Sequence, residues 1–83
     1  MINWHSQAWE DYLYWQKKDK RMVERINKLI RETQREPFAG VGKPEALKHA
    51  LAGFWSRRIT DEHRMVYRVK GEALMIPQLR FHY

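Results

Sequence analysis

The chain has 83 residues, a formal net charge of +6 and no cysteine. That length makes a single domain spanning residues 1–83 with a thin stability margin, and no disulfide framework is available to widen it. The longest apolar run, residues 73–77, is far too short to cross a bilayer, and the N-terminus lacks the basic and apolar regions of a signal peptide, so the expectation is a soluble cytoplasmic protein with no membrane partner.

Residues 1–5 are a candidate first short strand. Ser6 can cap a helix in which Ala8, Trp9, Tyr12, Leu13 and Trp15 recur at helical spacing. A charged interruption, Lys17-Lys18-Asp19-Lys20-Arg21, separates it from a second amphipathic segment. Met22, Val23, Ile26, Leu29, Ile30 and Thr33 form the apolar stripe there, and Pro37 and Gly40 close the helical hairpin. The period then changes. Phe54 to Thr60 is a candidate strand, Asp61-Glu62 a turn, and His63 to Lys70 a second strand with Arg64, Val66 and Arg68 on one face and Met65, Tyr67 and Val69 on the other. After the turn at Lys70-Gly71-Glu72, Ala73 to Tyr83 reads as a last strand in which Pro77 demands an edge or a bulge. The fold class is therefore α+β, an N-terminal helical hairpin packed on one face of an antiparallel sheet. Four Trp, four Tyr and three Phe supply much of its core.

Charge narrows the partners. Residues 1–41 carry eight basic and six acidic groups and residues 42–83 eight and four, so the basic excess leans toward the C-terminal half. Such a balance favours polyanionic partners: nucleic acid, the ribosome or an acidic protein. His5, His49, His63 and His82 lack metal-ligand spacing, and there is no P-loop, dinucleotide glycine pattern or nucleophile elbow. No metal and no cofactor is implied. The remaining polar groups suit RNA phosphodiester chemistry, in which a base takes the 2′-OH proton, an acid protonates the departing 5′ oxygen, and cations face the charge on phosphorus. Glu45, His82, and Arg64 with Lys48, Arg57 or Arg58 can supply these, but composition alone does not select them.

Selection comes from resemblance. Trp9-Glu10-Asp11-Tyr12, Gly42-Lys43-Pro44-Glu45-Ala46-Leu47-Lys48-His49, Gly53-Phe54-Trp55-Ser56-Arg57-Arg58-Ile59, His63-Arg64-Met65-Val66-Tyr67 and the terminal His82-Tyr83 stand in the order and at the spacing of one family. Over essentially its whole length the chain resembles the Txe/YoeB branch of the RelE superfamily of toxin–antitoxin mRNA interferases. The resemblance implies a microbial-ribonuclease-like fold and a metal-free endoribonuclease that cuts mRNA in the ribosomal A site. It also implies inhibition by a YefM-type antitoxin, contact with operator DNA only through the antitoxin complex, and homodimerisation. Carried over by position, Glu45 is the general base, His82 the general acid, Arg64 the stabiliser of the phosphorane-like transition state, and Tyr83 a residue that positions substrate or supports the acid. Lys48 and Arg58 match basic residues near the scissile phosphate. Two positions depart from the pattern: Ala46 stands where a second proline is expected, and Phe81 where a tyrosine is common.

Each site residue also has a plainer reading. Pro44-Glu45 suits the first turn of a helix, where a carboxylate merely complements the dipole. His82 would otherwise be a frayed terminal histidine, although the flanking Phe81 and Tyr83 argue for a docked tail. In ideal strand geometry Arg80 shares a face with His82, which adds Arg80 to the phosphate-site candidates. Arg57-Arg58 and Arg64/Arg68 could form a solvated basic face. Phe54, Trp55 and Tyr67 are expected in the core, and His49 and His63 to be structural or peripheral. The competing function is a basic module that binds RNA or the ribosome without cutting.

Overall fold

The computed structural model describes residues 1–81. Its elements, in chain order, are β1 (Ile2–Trp4), α1 (Ser6–Lys18), α2 (Lys20–Arg35), β2 (Glu45–Ala46), a short 3₁₀ turn (His49–Leu51), β3 (Trp55–Arg58), β4 (Arg64–Lys70) and β5 (Ala73–Gln78). His82 and Tyr83 lie outside the described residues.

The two helices meet at one residue. Asp19 leaves helical geometry at φ −159°, and its N–H closes α1 on Trp15 O at 2.9 Å. Its carboxylate then accepts from Arg21 N at 3.0 Å and caps the start of α2. A single aspartate inside the charged interruption thus ends one helix and begins the next. Ser6, expected as a cap, is instead the first residue of α1; His5 holds the capping position in extended geometry without a side-chain bond.

The sheet runs in the order β1-β5-β4-β3-β2. β3–β4 and β4–β5 are antiparallel, as expected; β2, which the sequence reading did not include, adds antiparallel to β3, and β1 adds in parallel along β5 with Ile2 opposite Leu74 and makes the sheet mixed. Pro77 falls where the β4–β5 register slips: Val66 faces Gln78, but Arg68 faces Met75. Two steps on β4 oppose three on β5, a bulge that accommodates a residue with no N–H to donate. The strand itself is internal, between β1 and β4, so of the two expected settings for Pro77 the bulge is the one used.

Both helices cover one sheet face. Ala8, Trp15, Met22, Ile26, Leu29 and Ile30 bury against Ile59, Met65, Tyr67, Leu74, Ile76 and Leu79. α2 therefore turns its predicted stripe inward, with Thr33 buried through a 2.6 Å bond to Leu29 O. Among the described residues neither α-helix covers the other face of the sheet, and it is there that strand parity sends Arg64, Val66 and Arg68.

Candidate active site

Glu45 is in β2, not in the first turn of a helix. Three features place it there. Gly42, at φ +83°, lets the chain pass so close to α2 and β3 that a Cβ would meet Leu29 Cδ2 at 2.9 Å, and its carbonyl accepts from Arg58 N at 2.7 Å. Lys43 follows in the left-handed region at φ +51°, and Pro44, with its φ set by the ring, leads into the extended backbone that begins at Glu45. Finally Glu45 and Ala46 pair with Ser56 and Trp55, and Leu47 N continues the ladder to Phe54 O at 2.9 Å.

Residues directly opposite one another in a sheet share a face. Glu45 faces Ser56, Ser56 faces Val66, and Val66 faces Gln78, a row across four strands on the helix-free side. One row along, Arg58 faces Arg64. Glu45, Arg58 and Arg64 therefore project from the same surface. Two strand spacings and two residues separate the Cα atoms of Glu45 and Arg64 by about 12 Å. Glu45 and Arg58 are exposed, whereas Arg64 is nearly buried. Arg64 Nη1 donates to the carbonyls of Thr60 (2.6 Å), Asp61 (2.8 Å) and His63 (3.2 Å), so the β3–β4 turn fixes its direction. Beside Glu45, an open groove of about 520 Å³ runs along the 45–51 segment, with exposed Lys48 and His49 on its wall.

Arg57 does not belong to this surface. As the neighbour of Arg58 it points to the opposite face, where it is fully buried. Its guanidinium donates to Val41 O (2.9 Å), Ala39 O (2.8 Å), Glu36 O and the Tyr67 hydroxyl (3.3 Å). The Tyr67 hydroxyl in turn donates to Pro37 O at 2.6 Å. Burial pushes the Tyr67 phenol above its ordinary pKa against the opposing pull of Arg57. Arg57 thus ties the irregular 36–41 segment to the sheet, and the expectation that it contacts RNA phosphate is corrected: its donors are spent on carbonyls where no phosphate can reach.

Arg80 also departs from expectation. The strand parity that grouped it with His82 stops at Gln78, because residues 79–81 bend away from the ladder. Its guanidinium carbon lies 3.5 Å from the Tyr14 ring centroid and 4.4 Å from that of Phe81, clamped between α1 and the tail.

The approach to the C-terminus is held by residues that composition did not single out. Buried Asp11 accepts from Leu79 N at 3.0 Å, and the Trp15 indole N–H donates to Leu79 O at 2.9 Å. Gln78 Nε2 donates to Arg80 O and Phe81 O at 2.8 and 3.2 Å. Asp11 carried a readable signal, a carboxylate in helical register with Ala8 and Trp15 on the buried stripe. The residue types proposed as acid and tyrosine follow this anchored stretch directly in sequence.

Comparison with known proteins gives a consistent result. Residues 4–83 match the model of the YoeB-like toxins of bacterial type II toxin–antitoxin systems. Toxin YoeB of Escherichia coli (strain K12) is 60% identical over 80 residues, covering 96% of this chain and 95% of that protein. Among solved structures, the YoeB/ParE toxin from Agrobacterium tumefaciens superposes with a TM-score of 0.96 at 58% identity, covering 99% of this chain and 98% of that one. A chain of the heterotetrameric YoeB–YefM toxin–antitoxin complex from Staphylococcus aureus superposes with a TM-score of 0.93 at 45% identity, covering 100% and 97%.

Proposed function

The chain belongs to the YoeB-like toxins of bacterial type II toxin–antitoxin systems, and we propose that it is a ribosome-dependent mRNA endonuclease that uses the ribose 2′-OH as nucleophile. Glu45 takes the 2′-OH proton as that oxygen attacks phosphorus. Arg64, its Nη1 held by the turn carbonyls, neutralises the charge that builds on the phosphorane. Arg58 and Lys48 hold the flanking backbone, a sequence-independent contact. His82 protonates the departing 5′ oxygen and Tyr83 positions the substrate or supports that acid. The products are a 2′,3′-cyclic phosphate and a 5′-hydroxyl, and no step calls for a metal.

What supports this reading above all is the common sheet face of Glu45, Arg58 and Arg64, since a base and cations on opposite faces could not serve one phosphate. The ribosome fits the net charge of +6, and by delivering one stretched codon it supplies the substrate orientation that an open groove lacks. By analogy with the YoeB–YefM assembly from Staphylococcus aureus, the inhibitor is a YefM-type antitoxin, which brings the toxin to operator DNA; homodimerisation and action in the cytoplasm, where ribosomes are, complete the proposal.

In reconstituted translation, the wild-type protein cuts mRNA only where a ribosome has loaded it. Glu45→Gln keeps the shape and loses the base, so kcat falls by about 10²–10⁴-fold with KM little changed. Equal cutting of free and translated RNA overturns the ribosome requirement, and an unchanged kcat in Glu45→Gln overturns the base assignment.

A further inference from the structure

We infer that His63 is a positioning residue for this reaction, fixing the backbone of Phe81 in the left-handed conformation from which the chain continues to the proposed acid, His82. The inference rests on the nuclease reading above.

Phe81 has φ +64°, a region that an aromatic residue adopts only when its surroundings impose it. Both of its backbone polar atoms are held. Its N–H donates to His63 Nδ1 at 2.8 Å, and its carbonyl accepts from Arg64 N at 3.1 Å and Gln78 Nε2 at 3.2 Å. Of these, the bond to His63 is the one made to the Phe81 N–H, whose direction depends on the φ in question. The carbonyl contacts restrain the other end of the residue. Without an acceptor at Nδ1, the Phe81 N–H loses its partner and the residue can relax to negative φ.

The imidazole is itself set in place. It stands edge-on to the Trp15 indole with centroids 4.8 Å apart and planes at 76°, and the Phe81 ring lies 5.8 Å away. Trp15 is buried and holds Leu79 O through its own N–H. One aromatic residue therefore orients both the acceptor and the chain that it receives. Because Nδ1 accepts, the ring proton resides on Nε2, which faces Glu62 Oε2 at 4.0 Å. His63 and Arg64 are adjacent, so the step that directs the proposed transition-state arginine also carries the group that fixes the tail. One turn, residues 60–64, therefore holds both the proposed transition-state arginine and the backbone of Phe81, the residue before the proposed acid in sequence.

The role is separable from bulk packing by choice of side chain. His63→Ala removes the acceptor. His63→Asn places an amide oxygen close to the position of Nδ1 and restores it. The experiment reads two quantities on the full chain: hydrogen exchange at the Phe81 amide, and cleavage of translated mRNA. His63→Ala should lose protection at Phe81 and cut about 10- to 100-fold more slowly at saturating mRNA with KM unchanged, as expected for a misplaced catalytic group. His63→Asn should recover both. Unchanged Phe81 protection in His63→Ala, wild-type cleavage by it, or failure of the folded Asn variant to recover overturns the assignment. A wild-type protein that cuts no translated mRNA is a different failure: it removes the nuclease reading, and the positioning role with it.

Discussion

Arg57→Ala is expected to destabilise the domain by about 3–5 kcal/mol, leaving Glu36, Ala39 and Val41 carbonyls and the Tyr67 hydroxyl without their donor. The whole stability of a chain this size is about 4–12 kcal/mol, so the variant should lose a large fraction of it. The cause is geometric. The 36–41 segment is irregular and contributes carbonyls that no ladder satisfies, and a planar guanidinium with diverging donors reaches several at once. Arg57→Lys should recover little, because one ammonium group cannot span those positions. Thermal unfolding followed by circular dichroism checks this: each kcal/mol is worth about 4–8 °C in a domain of this length, so Tm should fall by at least about 12 °C. A phosphate-binding arginine behaves in the opposite way. If Arg57→Ala unfolds like the wild type and loses only RNA affinity, the clamp assignment is wrong.

On the chemistry, the effect expected at His82 is as large as that at Glu45. His82→Ala should slow cleavage by about 10²–10⁴-fold while leaving ribosome binding intact, because an alkoxide leaving group needs a proton that only a positioned acid supplies. Substitution of sulfur for the bridging 5′ oxygen makes the assignment specific. A thiolate departs without protonation, so the thio substrate should restore His82→Ala nearly to the wild-type rate. It should not restore Glu45→Gln, which fails at the opposite step. Rescue of both variants, or of neither, contradicts the division of labour.

These two expectations show where sequence reading reaches its limit. Arg57 and Arg58 are identical neighbours, and nothing local tells which one faces the helices. Strand parity orders residues within β4, and it correctly sent Arg64 away from Met65 and Tyr67. Assigning β3 to the same frame requires the register with β4, and placing Glu45 requires the register of a two-residue strand. Those are long-range facts. The parallel docking of β1 is another, since three residues carry no signal about their partner. By contrast, α2 was legible because its stripe repeats over about three turns, and Pro77 because a missing N–H forces a bulge wherever its strand is internal. At the C-terminus the sequence suggested a docked tail from its aromatics. Within the described residues the stretch 79–81 is held by Asp11, Trp15, Gln78 and His63, residues spread over the whole chain. Family resemblance nominated His82 and Tyr83, both of which lie beyond the described residues, and chemistry alone could only permit them.

The central claim is that this toxin makes the ribose 2′-OH the nucleophile. Sequencing the 5′ termini that appear on translated mRNA after induced expression, with separate capture of 5′-hydroxyl and 5′-phosphate ends, tests it most directly. New 5′-hydroxyl ends at ribosome-occupied codons, paired with 2′,3′-cyclic phosphate or 3′-phosphate upstream, are the expected result. New 5′-phosphate ends, which require water as the attacking group and the opposite bond to break, or no new ends despite arrested translation, would contradict it.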